Sequence, residues 1–198
     1  MIKLIIQSIR QKLVWIVVCG VLYPLAMTAI VQLAFHDQAN GSLIERDGKL
    51  VGSALLAQQF TGAKYFWPRP SAATYGTGPT GIAGSSGSNL GPTSAQLQTN
   101  VRNNAKALRE AHKLPADAPV PADLVYASAS GLDPHISPEA ARFQVGRVAA
   151  ARGLSEDQVK ALVGKFVEPP QWGFLGEARV NVLRLNLALD AADAKKTG

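Results

Sequence analysis

The longest apolar stretch of the chain lies near its amino terminus. Residues 13–35 form an unbroken run without a charged side chain, and basic residues precede it at Lys3, Arg10 and Lys12. A helix rises ~1.5 Å per residue, so this run would extend roughly 34 Å, enough to cross a hydrocarbon core of about 30 Å. The pattern predicts a transmembrane helix over residues 13–35 behind a basic tail over residues 1–12.

Small and polar residues recur at every fourth position within this run. They are Gly20, Pro24, Thr28 and Gln32. Residues four apart lie on one face of a helix, so this face is predicted to contact another membrane helix. Simple tolerance of these residues in lipid is the alternative. A cleaved signal peptide is disfavoured, because its apolar region usually covers only about 7–15 residues and no A-x-A sequence follows closely.

The distribution of charge predicts how the helix is oriented. All three charges before the run are basic, and all 14 acidic residues of the chain lie at or beyond Asp37. The positive-inside rule then places the amino terminus in the cytoplasm. We therefore expect a single-pass membrane protein in contact with the lipid bilayer, with residues 36–198 outside the cytoplasm; in a bacterium this domain would be periplasmic.

Residues 36–198 contain short strand and helix patterns. Asp47-Gly48 suits a type I′ turn, which predicts a hairpin over residues 42–56. Further signals are capping boxes at Thr93/Gln96 and Ser155/Gln158, Ser137-Pro138 as a helix start with Gly153 as its stop, and strands over 123–127 and 180–189. They predict an α+β fold: one N-terminal transmembrane helix, then a single extracytoplasmic domain of short strands and about three helices.

Residues 68–94 are dominated by Gly, Ser, Thr and Pro, which predicts a long loop. Apolar side chains occur before and within it: Tyr65, Phe66, Trp67, Tyr75, Ile82 and Leu90. A flexible Gly/Ser tether would lack such anchors, so the composition favours a loop that is ordered, by itself or by a partner.

The net charge of +6 is modest and dispersed. Half of it comes from the basic tail, and no basic run is longer than Lys195-Lys196. No nucleic-acid partner is therefore expected. The single cysteine, Cys19, falls within the predicted span, so we expect no disulfide in the outer domain.

Ser130, Asp133 and His135 lie close together in the sequence and raise the possibility of a hydrolase triad. Triad members normally come from separate elements, and no G-x-S-x-G motif surrounds Ser130. The favoured interpretation is a tight turn in which Asp133 accepts backbone N–H groups, His135 bonds locally and Ser137 caps the next helix. An anchored periplasmic hydrolase using Ser130, Asp133 and His135 is the alternative.

Other binding chemistry has weaker support. The three histidines stand apart without metal-site spacing, and the glycine-rich residues 84–91 are not followed by Gly-Lys-Ser/Thr. We expect Arg142, Arg147 and Arg152 to form a solvated helix face.

A second alternative function is an anchored module that binds a small ligand or cell-wall polymer. It would use Tyr65, Trp67 and Tyr75.

Several motifs follow one another in an order that resembles a known family. They are Tyr65-Phe66, Arg69-Pro70-Ser71-Ala72, Gly87-Ser88-Asn89-Leu90-Gly91-Pro92-Thr93, Ala127-Ser128-Ala129-Ser130-Gly131-Leu132-Asp133-Pro134-His135-Ile136-Ser137-Pro138, Gln144, Arg147-Val148-Ala149, Gly176-Glu177 and Arg179-Val180-Asn181-Val182-Leu183. Behind a single N-terminal span, this series resembles the C subunit of the Kdp potassium-transporting ATPase of bacteria. Tyr126, Ser94 and Ala178 depart from the family pattern, where threonine, asparagine and proline are expected.

The resemblance implies a non-catalytic subunit of a high-affinity, ATP-driven potassium uptake complex of the P-type ATPase class. Its partners would be a potassium-binding, channel-like A subunit, an ATP-hydrolysing B subunit and a small F subunit. ATP and K⁺ would be handled by the complex, with no cofactor bound by this chain itself.

Family resemblance also implies a catalytic chaperone that raises the ATP affinity of the B subunit, with Gln144 as a candidate nucleotide contact. A periplasmic Gln144 could not reach cytoplasmic ATP, so any such effect must be indirect. We expect Asn89, Asp133, His135 and Ser137 to order the surface that docks on the A subunit.

Overall fold

The computed structural model describes residues 1–46, 48–73 and 84–194. Asp47, Tyr75 and Ile82 therefore lie outside the described residues. The chain divides into two compact units, Met1–Val51 and Gly52–Gly198.

The first unit begins with one long apolar helix. It consists of α1 (Ile2–Val17), a π-helical turn (Val18–Leu22) and α2 (Tyr23–Ala34). Ile2–Ala34 is 33 residues long, its most apolar 18-residue window has a mean hydropathy of 2.3, and the helix is long and apolar enough to cross a membrane. The predicted apolar helix is confirmed, and it continues back through the basic tail.

The π-helical turn directly precedes Pro24. Tyr23 donates its backbone N–H to the carbonyl of Val18, five residues earlier. Proline has no N–H, and its ring crowds the carbonyl four residues before it, here that of Gly20. Widening one turn relieves this contact and keeps the helix continuous.

Phe35 leaves helical geometry and ends the long helix, and a short α3 (His36–Ala39) follows. Asn40 donates to the Gln32 side chain at 3.0 Å and to the carbonyl of His36 at 2.7 Å. The next elements are β1 (Leu43–Arg46) and β2 (Lys49–Ser53), which pair as the predicted hairpin, with Gly48 at φ +71°.

The second unit is a mixture of helices and a small sheet. Its helices are α4 (Ala95–His112), a 3₁₀ turn (Ala122–Leu124), α5 (Pro138–Arg152), α6 (Glu156–Lys165) and α7 (Val182–Ala194). Its strands are β3 (His135–Ile136), β4 (Val167–Glu168) and β5 (Arg179–Asn181). The sheet has the antiparallel order β3-β5-β4, with His135 opposite Asn181 and Val167 opposite Val180.

The predicted helix starts are largely confirmed. Ser137 caps α5 through the N–H of Ala140, and Gly153 ends that helix at φ +61°. Ser155 and Gln158 form a complete capping box at α6. At α4 the cap is Ser94 rather than Thr93, one residue later than predicted.

Two predicted strands are wrong. Residues 123–127 contain a 3₁₀ turn, and Asp123 instead accepts the N–H of Ser137 at 2.7 Å. Of residues 180–189, only the first two belong to a strand and the rest form α7. The alternation of polar and apolar residues suggested a strand, but Asn186 is buried, so the polar positions do not mark an exposed face.

The core of the second unit lies between α5, α6, α7 and β5. Its fully buried members include Val145 and Val148 of α5, Val163 of α6 and Leu189 of α7. Phe66, which belongs to no helix or strand, is also fully buried there. An irregular segment of the chain, residues 63–67, is thus built into the core immediately before the long loop.

Candidate functional site

Two buried side-chain amides, Gln144 and Asn186, hold this irregular segment. Asn186 accepts the N–H of Phe66 at 2.8 Å and donates to its carbonyl at 2.9 Å. Gln144 accepts the N–H of Trp67 at 2.8 Å and donates to its carbonyl at 3.1 Å. Each amide therefore pairs with a backbone residue as a neighbouring strand would. We call Gln144 and Asn186 the amide clamp.

Two arginines of α5 extend this clamp along the segment. Arg147 donates to the carbonyls of Ala63 and Tyr65 at 2.6 and 3.0 Å, and its guanidinium stacks 4.1 Å from the Trp67 ring. Arg152 donates to the carbonyl of Lys64 at 2.6 Å.

Arg152 is also the centre of an ion-pair network. It bonds Asp190 at 2.8 Å and Asp193 of α7, and only 1% of its side chain is exposed. The predicted solvated face is therefore wrong for Arg147 and Arg152, although Arg142 is exposed. Both arginines donate to carbonyls of residues 63–65, more than 80 residues earlier in the sequence. The residue pattern of the helix alone could not indicate such distant partners.

His112 forms a hydrogen bond with Arg147. Its Nε2 accepts from Arg147 Nε at 3.3 Å, and its Nδ1 lies 2.8 Å from the carbonyl of Leu108. This arrangement requires a neutral ring with its hydrogen on Nδ1. Burial lowers the pKa of His112, and the positive charge of Arg147 adds to that effect, against the opposing hydrogen bond to Leu108. Burial likewise lowers the pKa of Arg147 to about 10.

The clamp changes the interpretation of three predicted ligand residues. Gln144 is 0% exposed and both its polar atoms are engaged within the chain, so the structure offers no support for a nucleotide contact there. Trp67 is stacked under Arg147, and Tyr65 donates to Asp190 at 3.3 Å. These two aromatic residues anchor the segment, which leaves the ligand-binding alternative without an open aromatic surface at Tyr65 and Trp67.

A second cluster forms around Asp133 in the turn before β3. Its carboxylate accepts Arg69 Nη1 at 3.0 Å and the N–H of His135 at 3.0 Å, and His135 Nδ1 lies 3.6 Å away. Burial alone would raise the pKa of Asp133, but the His135 side chain, the His135 amide and Arg69 outweigh it and lower the pKa to about 2. The predicted capping turn is confirmed, since Ser137 caps α5.

Part of the Gly- and Ser-rich loop packs on this turn. Ser86 donates its N–H, and Ser85 its hydroxyl, to the carbonyl of Ser130 at 3.0 and 2.9 Å. Gly131 has φ +70°, and a Cβ there would lie 2.6 Å from the Ser86 carbonyl. Ser85 and Ser86 therefore pack against the turn, and glycine is required at position 131 for this approach.

The catalytic alternative is not supported by the geometry. Ser130 Oγ lies 3.3 Å from Ser128 Oγ and accepts the N–H of Leu132 at 3.1 Å. Within the ranges that the structure describes, no hydrogen bond joins Ser130 to His135, so the serine has no base. The same ranges contain no group of three His, Cys, Asp or Glu residues suited to a metal ion.

Of the four predicted docking residues, three meet at one cavity. Asp133, His135 and Ser137 line a depression of about 270 Å³, together with Arg69 and Arg179. Asn89 lies apart from it, at φ +51° in the loop. Sequence reasoning missed Arg69, whose partner is 64 residues away, and Asn186, whose only signal was a polar residue among leucines.

Known proteins are similar to this chain over both the apolar helix and the second unit. A family model described as K⁺-transporting ATPase, c chain, matches residues 5–191. The chain belongs to the KdpC family. Potassium-transporting ATPase KdpC subunits are similar to it in Methylococcus capsulatus (53% identity, 93% of this chain and 95% of the relative) and Mycobacterium tuberculosis (52%, 94% and 97%). A third, from Paraburkholderia xenovorans, is 54% identical over 86% of this chain and 88% of the relative.

KdpC membership makes this chain a subunit of a K⁺-transporting ATPase, and therefore a protein of potassium transport with partner subunits. The candidate membrane helix fits a membrane-associated subunit. The family resemblance predicted from the sequence motifs is confirmed.

Proposed function

We propose that this KdpC chain is a non-catalytic, single-pass subunit of an inner-membrane, ATP-driven potassium uptake complex. The observation that carries the proposal is the extent of the family match, which runs from residue 5 to residue 191 and so includes both the apolar helix and the second unit. In this proposal residues 1–12 are cytoplasmic, residues 13–35 cross the bilayer and residues 36–198 form the periplasmic domain.

The periplasmic domain would act by docking on the channel-like A subunit. The cavity beside Asp133 offers charged groups of both signs that are already fixed, because Asp133 is held by Arg69 and by the N–H of His135. A preorganised polar surface loses little side-chain entropy on binding, which suits a permanent assembly contact. Ser137 would order the helix start at this cavity, and Asn89 would order the loop away from it.

Any effect of this chain on the ATP affinity of the B subunit would be indirect. Gln144 has its amide committed to Trp67 and belongs to the domain placed outside the membrane. Raised ATP affinity of the B subunit would then reach the nucleotide site through the membrane helix, where Gly20, Pro24, Thr28 and Gln32 would contact another helix, or through the A and F subunits.

Potassium uptake and complex recovery together test this proposal. His135→Ala in the whole complex should weaken recovery of the A subunit with this chain and raise the K⁺ concentration needed for half-maximal uptake by membrane vesicles. Glu139→Ala, at an exposed position of α5 outside the cavity, is the matched control. Wild-type behaviour of His135→Ala in both measurements would contradict docking through the cavity.

A further inference from the structure

His112 is a titratable side chain that is built into the contacts of Arg147. Its ring centroid lies 4.5 Å from that of Phe143 and 6.2 Å from that of Trp67. Its Nδ1 lies 2.8 Å from the carbonyl of Leu108, and its Nε2 accepts from Arg147 Nε at 3.3 Å. These contacts hold the ring in one orientation, in which only an unprotonated Nε2 can accept a hydrogen bond.

Arg147 in turn holds the irregular segment. Its Nη1 donates to the carbonyls of Ala63 and Tyr65 at 2.6 and 3.0 Å, and its Nη2 donates to Gln144 Oε1 at 2.7 Å. The same Gln144 oxygen accepts the N–H of Trp67 at 2.8 Å. The guanidinium therefore joins one side chain of the amide clamp to the segment, so its displacement would loosen both.

Protonation of His112 at Nε2 is incompatible with this arrangement. Two N–H donors, each on a cationic group, would then face each other where the hydrogen bond of 3.3 Å now lies. The Leu108 carbonyl would hold the charged ring more tightly, because hydrogen bonds from ionised donors are stronger. The ring therefore stays in place and the guanidinium of Arg147 has to move.

Arg147 is the only charged group among the causes that shift the pKa of His112. Burial is the largest cause, and together they lower the pKa below its ordinary value of 6.5, so the ring binds a proton only in an acidic medium. Other charged groups on the elements packed around the ring are exposed or have other partners. They are Lys64, Arg102, Lys106, Arg109, Glu110, Lys113, Glu139, Arg142 and Arg152.

The irregular segment leads directly to the cavity beside Asp133. Arg69 follows Trp67 by two residues and bonds Asp133 at 3.0 Å. The carbonyl of Pro70 accepts the N–H of Ser128, at the start of the same turn, at 2.9 Å. A shift of Trp67 would therefore be transmitted to the turn that carries the proposed docking surface.

We propose that His112 and Arg147 form an acid-sensitive switch, in which protonation of His112 releases the irregular segment and weakens docking at the cavity beside Asp133. This inference names a regulation of the proposed docking surface and rests on the proposed function. In the proposed topology the second unit lies outside the cytoplasm, where the pH is that of the surrounding medium.

The first test follows Trp67 in the full chain in detergent. Substituting Trp15 and Trp172 by phenylalanine leaves Trp67 as the single tryptophan. Its fluorescence should change in one step, with a midpoint below pH 6.5, as the pH is lowered from about 8 to about 4.5. His112→Gln should abolish the step, because its amide can accept from Arg147 but does not titrate. A step that persists in His112→Gln overturns the proposal, as does its absence from the chain with His112.

The control and a second measurement exclude other origins of the step. His135→Gln, which removes the histidine at the cavity, should keep it, and its loss there would overturn the proposal. The ring protonation of His112 can also be followed directly by NMR in a chain with labelled histidine. Its midpoint should coincide with that of the Trp67 step, and clearly different midpoints would contradict the switch even if His112→Gln failed to fold.

Recovery of the partner subunits with this chain tests the consequence for assembly. Recovery by the wild-type chain should be about fivefold or more lower at pH 4.5 than at pH 7.5, and His112→Gln should remove most of this fall. No fall in the wild type, or an equal fall in both chains, overturns the proposal. If the wild-type chain recovers no partner subunits even at pH 7.5, the proposed function itself fails, whereas the Trp67 step still tests the switch.

Discussion

At the scale of single residues, two side-chain amides form the backbone hydrogen bonds that a neighbouring strand would otherwise form. Phe66 and Trp67 lie in an irregular segment, and their N–H and C=O groups are satisfied by Asn186 and Gln144. Buried backbone groups must be paired, so these side chains determine where the segment lies and where the following loop begins. Their role is positional, and it explains polar residues within an otherwise apolar core.

Replacing Asn186 by leucine should destabilise the domain strongly. Asn186→Leu leaves the N–H and C=O of Phe66 buried without partners, and each such group costs about 1–3 kcal/mol. We expect a loss of about 3 kcal/mol in the free energy of unfolding, measured by denaturant titration of the full chain in detergent. Gln98→Leu, at an exposed position of α4, should change it by less than about 0.5 kcal/mol. Equal stability of the two variants would contradict the clamp.

Asp133 should make the stability of the domain dependent on pH. Its pKa is about 2 in the folded chain, against 3.8 as the ordinary value. A lowered pKa means that the ionised carboxylate stabilises the fold above the ordinary value, and that this stabilisation is lost as the pH falls from about 4 towards 2.

The difference in unfolding free energy between wild type and Asp133→Asn measures this contribution. It should be about 2 kcal/mol at pH 7 and should approach zero near pH 2. Asp117→Asn, at an exposed position, is the control and should show no such pH dependence. A difference that stays constant between pH 7 and pH 2 would refute the role given to the Asp133 carboxylate.

At the scale of elements, the sequence predicts best what short-range interactions determine. Ser137 and Ser155 cap the helices that follow them, because a cap involves only the next three residues. The leucine-rich α7 was mistaken for a strand because its buried face includes Asn186, whose partner Phe66 is 120 residues away. The turn at Asp133 is local and was predicted, whereas Arg147 and Arg152 bond carbonyls of residues 63–65, more than 80 residues away, which no local pattern contains.

Two leucines of α7 distinguish a helix from the strand that the alternation suggested. Leu187 and Leu189 would lie on the same face of a strand, but in the structure Leu189 is 0% exposed and Leu187 is only partly buried. Leu189→Ala should therefore cost about 3 kcal/mol of unfolding free energy, and Leu187→Ala about 1 kcal/mol. Thermal and denaturant unfolding of the two variants gives the comparison, and equal losses would favour the strand.

At the scale of the whole molecule, the chain combines an uncharged, apolar segment over residues 13–35 with a region over residues 36–198 that contains all the acidic residues. The mean composition, with 17% charged residues, conceals this division, because the charges are absent from residues 13–35. Half of the net charge of +6 precedes that run, and in the proposed topology these basic residues lie on the cytoplasmic side of the membrane. The domain beyond it then carries the surface proposed for assembly.

Orientation can be measured with single cysteines in a Cys19→Ser background. Thr61→Cys lies at an exposed position of the second unit, and Gln7→Cys lies in the basic tail. A membrane-impermeant maleimide, added to cells whose outer membrane has been opened, should label Thr61→Cys but not Gln7→Cys. Both should react after the inner membrane is dissolved in detergent. The opposite labelling pattern would overturn the proposed topology.

The charges themselves supply the control for that measurement. Substituting Lys3, Arg10 and Lys12 by glutamine removes the basic residues that the positive-inside rule requires on the cytoplasmic side. A fraction of the chains should then insert in reverse, so that Gln7→Cys becomes labelled in unopened inner membranes and Thr61→Cys loses label in proportion. Potassium uptake should fall with the same fraction, because a reversed domain cannot reach a periplasmic surface of its partner.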